Sequence, residues 1–151
     1  MKRLLIAMTF VALSGGARLH AHDEGHGPKL TDMGQQGGVV SPVIDKKEMS
    51  KGVKANVVYK AELVRFDDGK VSVYLYDNDM EPLDLAKFKT EAKGVVETEK
   101  KGKISTVPFA LKLEEDAFTG KAPKPSIKPF NIDVTLTEGD RELLAAFDNL
   151  D

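Results

Sequence analysis

The 151-residue chain has no cysteine and no tryptophan. Without thiols it forms no disulfide, binds no metal through thiolate, and offers neither a cysteine nucleophile nor a cysteine for lipid attachment. Imidazole is almost as scarce: the only histidines are His20, His22 and His26. Everything beyond residue 26 therefore excludes a Ser-His-Asp triad, a His-Glu-x-x-His zinc site and histidine acid–base chemistry. Long hydrophobic runs are missing too. The longest, Leu4 to Leu13, has ten residues, about half of the roughly 20 that a membrane-spanning helix needs. What is present is ordinary: 41% hydrophobic and 30% charged residues with a net charge of −2, enough apolar material for the core of one domain.

The first residues read as an export signal. Lys2 and Arg3 precede the apolar run, and the small residues Ser14, Gly15, Gly16 and Ala17 follow it. Cleavage is expected after Ala21, with Ala17 as the alternative, so residues 1–21 form a signal peptide and the mature protein is periplasmic or secreted, without a membrane span. Removing Lys2, Arg3 and Arg18 takes the formal net charge from −2 to −5. A mildly acidic surface of that kind argues against nucleic acid or an anionic membrane as partner.

Residues 22–50 are rich in Gly, Pro, Asp and Gln and read as a flexible leader, with Val39–Val40 and Val43–Ile44 as its first contact with the body. The body, 51–151, is patterned at period two. Val57, Tyr59, Ala61 and Leu63 share one face, with Lys60 and Glu62 on the other; Asp67-Asp68-Gly69-Lys70 supplies a hairpin turn; Val71, Val73 and Leu75 resume the alternation opposite Ser72, Tyr74 and Tyr76. Leu83, Leu85 and Phe88 read as a short strand or single turn, Ala92 to Thr98 as a strand closed by Lys100-Lys101-Gly102-Lys103, and Phe109 to Leu113 as another. Gly120 to Pro129 reads as a stiff proline loop. Ile132, Val134 and Leu136 alternate cleanly ahead of a turn at Glu138-Gly139-Asp140. Residues 141–148 suit helix or strand, and the hairpin context favours strand. The sum is about seven short antiparallel strands, which predicts a single immunoglobulin-like β-sandwich.

Chemistry is concentrated at the N-terminus. Cleavage after Ala21 leaves His22-Asp23-Glu24-Gly25-His26 at the start of the mature chain. The α-amine and imidazole of His22 close one chelate ring, and His26, Asp23 and Glu24 supply further donors, a nitrogen-rich set that suits Cu(II) or a similar divalent ion. Cleavage after Ala17 leaves Arg18-Leu19-His20, with His20 third from the free amine, again a Cu(II) arrangement. A solvated spacer accounts for the same composition without metal. Asp77-Asn78-Asp79-Met80-Glu81 has the spacing of half a calcium loop, but Pro82 and Phe88 stand where that loop needs glycine and glutamate, so it reads as a turn. Paired carboxylates such as Asp67/Asp68 and Glu114/Glu115 lie in turns, and no spacing of acids, Lys, Ser or Thr marks an enzyme.

Val71-Ser-Val-Tyr-Leu-Tyr-Asp77, then Met80-Glu-Pro-Leu83 and Phe109-Ala-Leu-Lys-Leu113, give residues 55–148 a rhythm that resembles the N-terminal sandwich domains of bacterial heavy-metal efflux adaptors and periplasmic domains of the YtkA/FixH type. The His-Asp-Glu-Gly-His leader is similar to the metal-binding leaders of those adaptors. The resemblance implies a non-enzymatic metal-handling protein with an efflux or other envelope partner. The alternative expectation is an envelope interaction module without metal, docking through a sheet edge or through the Tyr74/Tyr76 face.

Overall fold

The computed structural model describes residues 27–151. The proposed signal peptide and its cleavage sites lie outside the described residues. The alternating segments form antiparallel strands: β1 (Val39–Asp45), β2 (Val57–Arg65), β3 (Lys70–Tyr76), β4 (Glu91–Lys100), β5 (Lys103–Glu114), β6 (Ala117–Lys121), β7 (Phe130–Glu138) and β8 (Arg141–Leu150). Their order around the sheet is β1-β2-β3-β6-β5-β4-β7-β8, and β8 returns to β1, so the described strands close into a barrel. One helical turn, Leu85–Lys87, occupies the place where Leu83, Leu85 and Phe88 predict a short strand or single turn. A longer 3₁₀ segment, Lys46–Lys54, joins β1 to β2.

The all-β, antiparallel expectation stands, whereas the seven-strand sandwich is corrected to an eight-strand barrel. Two strands account for the change. β6 pairs with β5 through the tight turn at Glu115-Asp116 and with β3 along Val73↔Phe118 to Lys70↔Lys121. Its last two residues, Gly120 and Lys121, fall in the expected proline loop, and Ala117 to Thr119 are too short a stretch to read as a strand on their own. β1 lies inside the expected 22–50 leader, and the boundary at 51 falls after it. Val43↔Ala145, Ile44↔Leu144 and Asp45↔Leu143 join it to β8, closing what would otherwise be two sheet edges.

Inward-facing side chains fill the barrel. Val43, Leu63, Val73, Leu111, Phe118, Val134, Leu136 and Phe147 are fully or almost fully buried, as expected for a small barrel whose interior is core. The segment left open between helix and strand, 141–148, is a strand paired on both sides. A second small cluster, Ile44 with Ala55 and Leu144, sits on the outer face.

Candidate functional site

Every predicted metal donor, His20, His22, Asp23, Glu24 and His26, lies outside the described residues. The structure does show how the chain that follows them is held. Gly27 is buried, and a Cβ there would come within 2.8 Å of Pro42 Cγ and 3.5 Å of Ile44 Cγ2. Residues 27–38 then run as a strap across the outer face of β1, β2 and β3. Beside its start, a cleft of about 330 Å³ is lined by Gly27, Lys29, Val40, Asn131, Asp148 and Asn149.

Two polar anchors hold the strap. Lys60 donates to Asp32 Oδ1 and to the Asn78 carbonyl, both at 2.8 Å. Glu62, 0% exposed, accepts four hydrogen bonds: from Gln36 N (2.8 Å) and Gly38 N (2.7 Å) at Oε1, and from Gln35 N (2.8 Å) and the Tyr76 hydroxyl (3.0 Å) at Oε2. Three amides of one turn, those of Gln35, Gln36 and Gly38, thus replace the water that a buried carboxylate loses. Glycine is required where the strap wraps this group. A Cβ on Gly34 would lie 2.2 Å from Glu62 Oε1, and one on Gly38 would lie 2.3 Å from the Leu63 carbonyl oxygen.

Tyr76 is 2% exposed. Burial, reinforced by its hydrogen bond to the Glu62 carboxylate, pushes its phenol up to about 12. The expected Tyr74/Tyr76 docking face is corrected accordingly, because Tyr76 lies under the strap and serves Glu62. Period two placed Lys60 and Glu62 correctly on the outward face, but outward is not exposed here. The usable signal was the density of Gly34, Gly37 and Gly38 just upstream, a source of closely approaching backbone amides.

At the end of the barrel where β7 meets β8, Tyr59, Lys87, Glu138 and Arg141 form a second polar cluster. Tyr59 donates to Glu138 Oε1 (2.7 Å), Lys87 donates to the Tyr59 oxygen (2.7 Å) and pairs with Glu138 (3.1 Å), and Arg141 pairs with the other Glu138 oxygen. The Lys87 ammonium also sits 4.4 Å from the Tyr59 ring centroid. Burial pushes the Glu138 carboxyl up, but hydrogen bonds from Tyr59, Arg141 and Lys87 outweigh it and hold the group below its ordinary value. The hydrogen bond to Tyr59, then Glu138, keeps Lys87 above its own. A lysine with a raised pKa is a poor nucleophile or base, and the group clamps the Leu85–Lys87 turn to β2 and β7.

At the opposite end, a cleft of about 470 Å³ lies between the β2–β3 turn and the proline loop, with Arg65, Lys70, Lys121, Lys124 and Lys128 around Phe130 and Ile132. Asp67, Asp68 and Asp151 line it too and offset much of that charge. The Asp77 loop is closed by its own backbone: Asp77 Oδ1 accepts from Asp79 N (2.8 Å) and Glu81 N (2.9 Å), which is turn chemistry. Among the described residues no group of three or more His, Cys, Asp or Glu side chains is placed to hold a metal ion. No protein-family model, curated protein or solved structure matches the chain.

Proposed function

We propose that the protein is an exported, non-enzymatic metal-handling barrel that binds Cu(II), or a similar divalent ion, through the amine and side chains of its mature N-terminus. His22, His26, Asp23 and Glu24 are the donors after cleavage at Ala21, and His20 serves after cleavage at Ala17. The observation that supports this reading is the strap. A glycine-rich segment in a plain linker has no need of a fully buried glutamate accepting three of its amides. Glu62 and Lys60 fix residues 32–38 to the barrel wall, and Gly27 is packed against Pro42. The histidine-bearing stretch therefore joins the barrel at a fixed point rather than through a free tether.

In this reading the barrel presents the metal and the N-terminus binds it. Histidine nitrogens must be deprotonated to coordinate, so affinity declines as pH falls through the imidazole range near 6.5. The test is a Cu(II) titration of the exported protein, followed by electron paramagnetic resonance, after intact mass has identified its first residue. About one tetragonal Cu(II) per chain is expected, with binding lost on acetylation of the α-amine. Unchanged binding after acetylation, or a first residue other than Arg18 or His22, overturns the proposal.

A further inference from the structure

Barrel closure covers most of the sheet edges among the described strands, but a stretch of β5 stays open. β5 pairs with β4 over most of its length, from Lys103↔Lys100 to Lys112↔Glu91, yet it pairs with β6 only from Leu111↔Gly120 to Glu114↔Ala117. After Lys121 the β6 chain turns away, its Ala122 amide bonding to the Gly69 carbonyl at 3.0 Å. β4 in turn leaves β7 at Glu97↔Asn131. The ends of β4 and β5 therefore continue past the barrel as a two-stranded ribbon, and no described strand covers the outer edge of β5 from Lys103 to Phe109. Residues 103–108 are all exposed, Ile104 at 45% and Val107 at 46%.

The ladder decides which backbone groups face that edge. In an antiparallel pair, alternate residues bond to one neighbour and the intervening ones point the other way. Leu113 N bonds to the Thr90 carbonyl on the β4 side at 2.7 Å, so Leu111, Phe109, Val107 and Ser105 also belong to β4. Ile104, Thr106 and Pro108 then turn their backbone outward. Two N–H groups and three carbonyls are available there. The imide nitrogen of Pro108 falls where a missing N–H breaks no ladder bond, the position at which a sheet tolerates proline. Pro108 thereby ends the available ladder at the barrel wall and limits it to a short stretch, which guards against indefinite edge-to-edge growth.

We infer that the β5 edge at Ile104–Thr106 is a docking site for an extended acidic peptide segment that adds as a further strand. Backbone pairing supplies the mode, and charge supplies the choice of partner. Lys100, Lys101 and Lys103 crown the ribbon, and Lys121 and Lys124 lie on the chain that diverges from β5. The acids of the ribbon, Glu97 and Glu99, are on β4, the strand away from the open edge. Ile104 and Val107 offer apolar contact on either face of the added strand. The inference is independent of metal binding.

The test is fluorescence anisotropy of the full chain, without added metal, against a labelled peptide of alternating Glu and Val. The proposal requires saturable binding that falls at least tenfold in the K100E/K101E/K103E variant and likewise in Thr106→Pro, which removes an outward donor while keeping every β4 bond. Amide exchange at Ile104 and Thr106 slows on binding. Absence of binding, equal affinity for an alternating Lys-Val peptide, or undiminished binding by a folded Thr106→Pro variant overturns the proposal. So does a metal-free dimer in sedimentation that Thr106→Pro abolishes, since a second copy would then own the edge.

Discussion

Glu62 shows how a single side chain can organise a segment that has almost no apolar residues of its own. Its carboxylate accepts the amides of Gln35, Gln36 and Gly38 and the Tyr76 hydroxyl. Glu62→Gln keeps the size but turns one oxygen into a donor. Since both oxygens receive N–H or O–H groups, either amide orientation sets donor against donor. Leaving buried amides unsatisfied in this way costs about 2–4 kcal/mol, to be read as a shift in the urea midpoint at unchanged slope. Gly38→Ala should reach a similar loss by another route, because its Cβ meets the rigid Leu63 carbonyl at 2.3 Å. Tyr76 reports the same site in alkali. Its folded pKa, raised to about 12, lies above the ordinary value of about 10. The fold therefore favours the protonated phenol, a contribution complete below pH 10 and lost as pH rises through 12. In a tyrosinate absorbance titration Tyr76 gives a step near pH 12, and Tyr76→Phe deletes that step. None of this was legible from the alternation, which marks the direction of a side chain and is silent on what a distant segment lays over it.

The individual hairpins were legible because their determinants are local. Asp67-Asp68-Gly69-Lys70 turns as its composition requires, with Gly69 at φ 85° and Asp68 Oδ1 accepting from Lys70 N. Lys101-Gly102 and the Gly139 turn behave likewise. β6 was missed because its pairing partners decide it: Phe118 is fully buried between β3 and β5, but in sequence it is a lone large apolar residue two positions before Gly120. The tie between the Leu85–Lys87 turn and the strands was equally hidden, since Tyr59, Lys87 and Glu138 come from three separate elements. Its pH response has a definite sign. Glu138 is held below its ordinary value, so the clamp stabilises the fold above the unfolded carboxylate range and is lost as pH falls through the lowered folded value. Thermal melts of wild type and Glu138→Gln should differ at neutral pH and converge in acid. A gap that persists at pH 3 would show that the residue contributes by packing rather than by charge.

Closure of the barrel is a property of the whole chain, and its determinants are the most distant in sequence. A sandwich and a barrel ask the same alternation of each strand. The difference lies in whether the first and last strands find one another, here Val43–Asp45 against Leu143–Ala145. Because β1 follows a glycine-rich stretch and contains Pro42, it read as the end of a leader, and the strand that seals the molecule was placed outside its domain. The structure predicts a clear consequence for truncation. A chain beginning at Gly27 retains strap, β1 and closure and should melt cooperatively. A chain beginning at Lys51 loses Val43 and Ile44, each almost wholly buried and worth about 1.5–3 kcal/mol apiece, and it also exposes the facing edges of β2 and β8 to other molecules. Against a typical stability of about 5–15 kcal/mol, that loss, with the ladder bonds, should leave the shorter chain unfolded or aggregated. Circular dichroism melts and amide spectra of the two chains compare them directly. A cooperative melt and dispersed amides from the chain beginning at Lys51 would mean that the seam between β1 and β8 contributes little. The barrel would then be a seven-strand sheet with a detachable stave.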